Sequence, residues 1–296
     1  MKIKWQVDTP ARKLRTFLRQ QGVSRRLLAH VRNAGGALLV NGDNGRMIDR
    51  VIPGDRVTLV LPPEENRKTP VIPSYVPVDV LYEDDDFLVV NKPPFVAAIP
   101  SPLHRDDSLV SRVTGYYRIR HYNGIIPHLV TRLDRDTSGA VLFAKHRYAH
   151  ALIDQELQTG RIHKEYCAGV EGPIWWHHRM ITAPIGRQPG STMKRMVRND
   201  GKWAVTEAWV EHHRLAGVTQ LRVRLWTGRT HQIRVHCAAL GHPLIGDDMY
   251  GGKLLNGMER QALHCQQLRF WQMRTQRWVT VTAPLPEDMR QLLKMK

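Results

Sequence analysis

The stretch HLVTRLDRDTSGAVLFAK, residues 128–145, carries the reading of this chain. Its second half runs through AVLFA, an apolar segment entered at Gly139 and left at Lys145. That is the pattern of a short buried strand. Its first half packs Arg132, Asp134, Arg135 and Asp136 into five positions. Charges beside a core strand are costly to bury unless they are paired, and a plain surface does not require them there. Either this is a solvated turn, or one carboxylate is held against the core to react.

A second stretch poses the same question. In LWTGRTHQIRVHCAALGHPLIGDDMYG, residues 225–251, an alternating strand ends at Thr227-Gly228. Thr230 is expected to cap a helix whose apolar positions are Ile233, Cys237 and Leu240, and Gly241 is expected to stop it. Arg234 then falls in the first helical turn. A cation there opposes the helix dipole, so an anion is the expected partner, with a solvent-facing arginine as the alternative.

Composition narrows the class of partner. The chain has 296 residues, enough for a large core and a small accessory domain. Its net charge is +17, from 44 Lys and Arg against 27 Asp and Glu. A charge of that size points to a polyanion, and nucleic acid is the common intracellular one. The three cysteines, Cys167, Cys237 and Cys265, show no CxxC spacing, so neither a disulfide framework nor a thiolate zinc site is expected, and a cytoplasmic location is. His231 and His236 stand five apart rather than four, and the pairs His177-His178 and His212-His213 are expected in turns, so no metal is expected. There is no long apolar span, and no membrane association is expected.

The basic charge is concentrated early. Residues 1–62 hold twelve of the basic side chains and four acidic ones. LRTFLRQQG and SRRLLAHVRNAGG read as two short helices, the second capped by Ser24. ALLVNG reads as a strand entering an Asn-Gly turn, and VIPGDRVTLVLP as a second strand. Prolines crowd residues 63–76, which read as an extended linker. Residues 77–296 then form a larger domain. Strand, acidic turn and strand are expected in VDVLYEDDDFLVVNKP, and a helix in LVSRVTGYYRIR. YAHALIDQELQTG reads as an amphipathic helix with Ala151, Leu152, Ile153 and Leu157 partly inward. KWAVTEAWVEHH and VTQLRVRLW are expected to pair as strands. Many short strands with scattered helices predict an α+β fold on a mixed, largely antiparallel sheet with flanking helices.

Taken in order, VLYEDDDFLVVNKPPFV, HLVTRLDRDTSGAVLFAK, KEYCA, TGRTHQIRVHCAALGHPLIGDDMYG and ALHCQQLRF resemble the pseudouridine synthases of the RLD/TSG-signature, RluA-type branch, which act on ribosomal or transfer RNA. The first sixty residues resemble a small RNA-binding domain named after a small-subunit ribosomal protein, a frequent companion in that branch. The resemblance implies an RNA-modifying isomerase that uses neither redox cofactor nor ATP. It implies Asp134 as catalytic carboxylate, Tyr166 as the aromatic that stacks on the uracil, and Arg234 as the partner of Asp134. It implies RNA contacts at Arg132, Lys164 and Arg229, and at Arg25, Arg26 and Arg32 on the N-terminal helices. Arg135 and Asp136 take no role in it. Where the family commonly has His before RLD this chain has Thr131, and a common His-Pro pair appears as Ile99-Pro100. A monomer is expected. The competing reading is a non-catalytic RNA-binding or ribosome-assembly protein on the same fold.

Overall fold

The computed structural model describes residues 1–64, 70–101, 106–214, 217–255 and 257–294. Its centre is the predicted buried strand, Ser138–Ala144, of which every residue is buried. Seven consecutive buried positions require neighbours on both edges and both faces. One edge pairs antiparallel with Phe87–Lys92. The other pairs with Leu263–Gln272 in parallel, through Ser138 with His264 and Gly139 with Cys265. The remaining pairings in this ten-stranded sheet are antiparallel, running outward through Ile162–Glu171, Val218–Leu225 and Val205–Arg214 to His178–Thr182. The sheet is therefore mixed and largely antiparallel, as the strand pattern predicts, and helices Leu109–Ile119, Arg147–Gln158, Gln232–Ala239 and Glu287–Lys294 accompany it. No helix among the described residues is long and apolar enough to cross a membrane.

The parallel contact explains the TSG triplet residue by residue. The Thr137 hydroxyl meets the Gln261 amide at 3.1 Å, and the buried Ser138 hydroxyl meets His264 Nδ1 at 2.9 Å. Burial depresses the His264 pKa to about 4, so its ring is neutral and accepts the serine proton. Gly139 sits at φ 115°, and a Cβ there would overlap the Cys265 carbonyl oxygen. Only glycine combines that backbone with that closeness.

The N-terminal residues make a second sheet, Lys2–Gln6, Arg56–Val60, Ala37–Val40 and Asp43–Asn44, beside helices Leu14–Gln20 and Arg25–Asn33. Ser24 caps the second helix, its hydroxyl accepting from the Leu27 N–H at 3.1 Å. Lys2–Gln6 was not legible as a strand; its partner lies more than fifty residues away. This sheet has its own core, around Phe17, Leu18, Val57 and Leu59, and that core also takes in Tyr148 and Leu152 from helix Arg147–Gln158. The Tyr148 hydroxyl donates to the Gln21 carbonyl at 2.6 Å, and Trp5 packs edge-on to its ring. Of the proline-rich segment, residues 65–69 lie outside the described residues. Glu64, beside them, is buried and accepts from the Arg147 N–H.

Two local expectations are corrected. Leu157 is exposed, because the helix end that carries it overhangs the rim of a cleft where the core runs out. His178, His212 and His213 lie within strands rather than turns, His178 stacking on Trp209. Gly139→Ala is expected to lower the urea midpoint, costing about 1–3 kcal/mol through strain and overpacking. An unchanged midpoint would mean that the parallel strands separate freely.

Candidate active site

A cleft of about 520 Å³ opens where the sheet meets helix Gln232–Ala239. Arg132, Leu133, Asp134, Lys164, Tyr166, Arg229, His231 and Arg234 all line it. Residues drawn from three separate motifs thus line one cleft. Asp134 is carried by the turn before strand Ser138–Ala144, whose Thr137 N–H donates to the Asp134 carbonyl at 3.2 Å. Its side chain is 27% exposed, so one carboxylate edge is open to the cleft.

Arg234 reaches Asp134 Oδ2 from Nη1 at 3.3 Å. Its closer partner is Asp247, which takes two parallel bonds, Nε to Oδ2 at 2.7 Å and Nη2 to Oδ1 at 2.8 Å. Burial works against the Arg234 charge, but the bonds and field of Asp247, with Asp134 behind it, outweigh burial and hold its pKa above the ordinary arginine value. The guanidinium is therefore a permanent cation that presents its remaining edge to Asp134. The expected anion at this helix start exists, and there are two of them.

The helix does not begin as expected. Gln232–Ala239 is preceded by His231 at φ 57°, ψ 22°, with no side-chain cap, so Thr230 does not cap it. The Gln232 side chain organises the turn instead. Its carbonyl accepts from the Arg229 N–H and the Thr227 hydroxyl, and its amide donates to the Val205 carbonyl and the Thr206 hydroxyl. A buried amide with four partners ties the turn to strand Val205–Arg214 and removes the need for a cap.

Tyr166 and Lys164 project from the same face of strand Ile162–Glu171. The Tyr166 ring is only 4% exposed and forms the cleft floor, beside Leu133, Ile233 and Leu263. Burial, then the nearby Cys265 and Asp134, pushes its phenol well above the usual value, so it stays protonated at neutral pH. Burial also lowers the Lys164 pKa; Arg132 adds to this, and Cys265 and Asp134 oppose it. Arg132 and Arg229 are exposed at the rim, where Arg229 Nε donates to the Trp203 carbonyl at 2.9 Å. Thr131 is buried, and its hydroxyl accepts from the Leu142 N–H at 3.0 Å, while Ile99 is exposed at the cleft mouth. Arg135 and Asp136 pair with each other on the outside of the turn.

The N-terminal arginines are elsewhere. Arg25 and Arg32 line a groove of about 1270 Å³ together with Arg15, Arg19 and Arg46. Arg26 is exposed but does not line it.

Sequence reasoning missed Asp247, Tyr250 and Lys92. The first two sit in GDDMYG, whose two carboxylates and aromatic after a glycine were the available signal. Lys92 gave none, standing at the end of an apolar strand. It is fully buried, and its Nζ donates to the carbonyls of Pro93, Val96 and Arg135 at 2.8, 2.9 and 2.7 Å. It thereby fastens the turn bearing Asp134 to the loop after strand Phe87–Lys92.

Burial lowers the Lys92 pKa to about 7, against an ordinary value of 10.5. Between those two values the unfolded chain binds a proton that the folded chain does not, so this group makes stability rise with pH across that window. Lys92→Met is expected to be less stable than wild type. The gap between the two should widen from pH 7 towards pH 10, by up to about 1.4 kcal/mol per unit. Urea unfolding at several pH values measures it, and a gap independent of pH would contradict the lowered pKa.

Comparison with known proteins places the chain in a family. The RNA pseudouridylate synthase family matches residues 86–239, which include the Asp134 turn, Tyr166 and Arg234. The chain is 40% identical over 281 residues to the uncharacterized RNA pseudouridine synthase YjbO of Bacillus subtilis, covering 95% of this chain and 98% of that one. It is 35% identical to ribosomal large subunit pseudouridine synthase D of Xanthomonas campestris, over 91% of this chain and 84% of the relative. Among solved structures, human RNA pseudouridylate synthase domain containing 1 superposes with a TM-score of 0.59 at 28% identity, covering 75% of this chain and 95% of that one. The chain belongs to the RNA pseudouridylate synthase family and is an enzyme of the RluA type that isomerises uridine in RNA to pseudouridine.

Proposed function

We propose that Asp134 is the carboxylate that carries out this isomerisation, on uridine in large-subunit ribosomal RNA. The observation that supports Asp134 most directly is its position: a half-open carboxylate above an aromatic floor, paired to a cation whose charge Asp247 keeps in place. The reaction breaks the N1–C1′ bond, turns the base and joins C5 to C1′. C5 loses its proton and N1 gains one, so no electrons are exchanged. Asp134 acts at the sugar, as nucleophile at C1′ or as base at C2′. The uracil leaves its helix to reach the cleft, at roughly a few kcal/mol. Stacking on Tyr166 returns about 1–3 kcal/mol. The Tyr166 hydroxyl, on the floor of the cleft, takes part in the proton transfer at C5.

Arg132, Lys164 and Arg229 bind the RNA around the displaced base. Residues 1–62 act as the small RNA-binding domain, with Arg25 and Arg32 on the phosphates lining their groove and Arg26 on a neighbouring surface. The ribosomal target is supported by relatives named ribosomal large subunit pseudouridine synthase D. The enzyme works as a monomer in the cytoplasm, a compartment that suits three buried cysteines outside any disulfide.

Uridine labelled with tritium at C5 releases its label only when C5 is joined to the sugar. Asp134→Asn is expected to abolish release from ribosomal RNA while leaving RNA affinity within about twofold; release at the wild-type rate would remove Asp134 from the reaction. The double variant Arg25→Gln/Arg32→Gln is expected to flatten the dependence of log affinity on log salt by about 0.7–0.9 for each phosphate left without its arginine. Filter binding across a salt series measures the slope, and an unchanged slope would take these arginines off the RNA.

A further inference from the structure

We infer that Tyr250 and His231 form a relay, hydrogen-bonded between the two rings, that positions the Asp134 carboxylate from the cleft wall through a close contact of His231 Nε2 with Oδ2, in addition to the ion pair from Arg234. The inference rests on the reading of Asp134 as the reacting group.

The relay is built from fixed donors. Tyr250 lies in the segment after helix Gln232–Ala239, and its hydroxyl oxygen accepts from the Arg195 N–H at 2.9 Å. Arg195 opens the second strand of a basic hairpin, Ile185–Arg187 with Arg195–Val197. The relay assigns the single Tyr250 proton to the 2.8 Å line to His231 Nδ1, the arrangement that leaves the imidazole proton for Nε2. An imidazole that accepts at Nδ1 carries its own proton on Nε2. Nε2 lies 3.9 Å from Asp134 Oδ2, a close electrostatic contact rather than a hydrogen bond. The two rings meet edge to face at 5.7 Å, which fixes the imidazole plane.

His231 is also held at a backbone cost. It is left-handed and non-glycine, in the position that normally caps a helix, and its side chain makes no cap. Such strain persists where the surroundings over-determine the residue, and it concentrates at sites that need one geometry. The charged groups around the ring are Asp134 and Asp247, which favour a second proton, and Arg234 and Arg195, which oppose it. The outcome for Asp134 is asymmetric. Oδ2 faces both Arg234 and His231, whereas no protein donor among the described residues bonds Oδ1. Oδ1 is the oxygen left for the ribose.

The test uses the full-length enzyme and total RNA carrying C5-tritiated uridine, from cells that lack this gene. His231→Asn keeps a residue type that tolerates the left-handed backbone and keeps an amide near Nδ1, but it removes Nε2. It is expected to lower kcat about tenfold with KM within about twofold, the size of one lost contact to a charged group. Tyr250→Phe, which keeps every ring contact, is expected to lower kcat several-fold. Because the two residues act in series, the double variant is expected to be no slower than His231→Asn alone. His231→Gln, whose amide reaches toward Nε2, is expected to recover part of the loss. Wild-type kcat in Tyr250→Phe, or fully additive losses in the double variant, would overturn the relay, and Tyr250→Phe decides the matter if His231→Asn folds poorly. Asp134→Asn runs in the same assay. Tritium release there would overturn the reading of Asp134 itself, whereas no release there with wild-type kcat in His231→Asn would overturn the relay alone.

Discussion

Arg234 is a fully ionised guanidinium in a site that excludes most water, and it is tolerable only because Asp247 takes two of its N–H groups. With those bonds made, the cation has one edge left, and that edge faces Asp134. The pair thus orients the carboxylate and keeps a negative charge favourable beside an apolar floor. A helix start is an unusual place for an arginine, and the dipole penalty is met by two carboxylates rather than by solvent. Every other feature of the cleft can be described by how it brings Asp134, Asp247 and Arg234 within reach of one another.

The parallel contact between Ser138-Gly139 and His264-Cys265 contributes most to that arrangement. It brings a strand from the middle of the chain against one near the end, and the Asp134 turn is what precedes the crossing. Glycine permits the approach, serine and threonine satisfy polar groups that the approach buries, and Lys92 ties the turn to the neighbouring strand from below. Asp134 is held by backbone on one side and ion pair on the other. The role proposed for it needs that rigidity, because small displacements from an attacking geometry are expensive in rate.

The N-terminal sheet is not merely appended. Its core is completed by Tyr148 and Leu152, which belong to the helix that flanks the catalytic sheet. The arginine-lined groove therefore sits on a body that packs against the catalytic unit.

Much of this was readable locally. Alternation and apolar runs identified Phe87–Lys92, Ser138–Ala144 and the pair Val205–Arg214 and Val218–Leu225, because side-chain period reports burial directly. Motif resemblance singled out Asp134, Tyr166 and Arg234, and the fold brings all three into one cleft. What stayed hidden was pairing. Asp247 is thirteen positions from Arg234, Lys92 is forty-three from the carbonyl it binds, and the Lys2–Gln6 strand finds its partner beyond residue 55. Thr230 looked like a cap because its type suits one, but the Gln232 amide had taken that task through contacts with a distant strand. Periodicity and residue type state how deeply a side chain is buried and what it can bond. Which partner it bonds depends on where two remote segments meet, and that is set by packing in three dimensions.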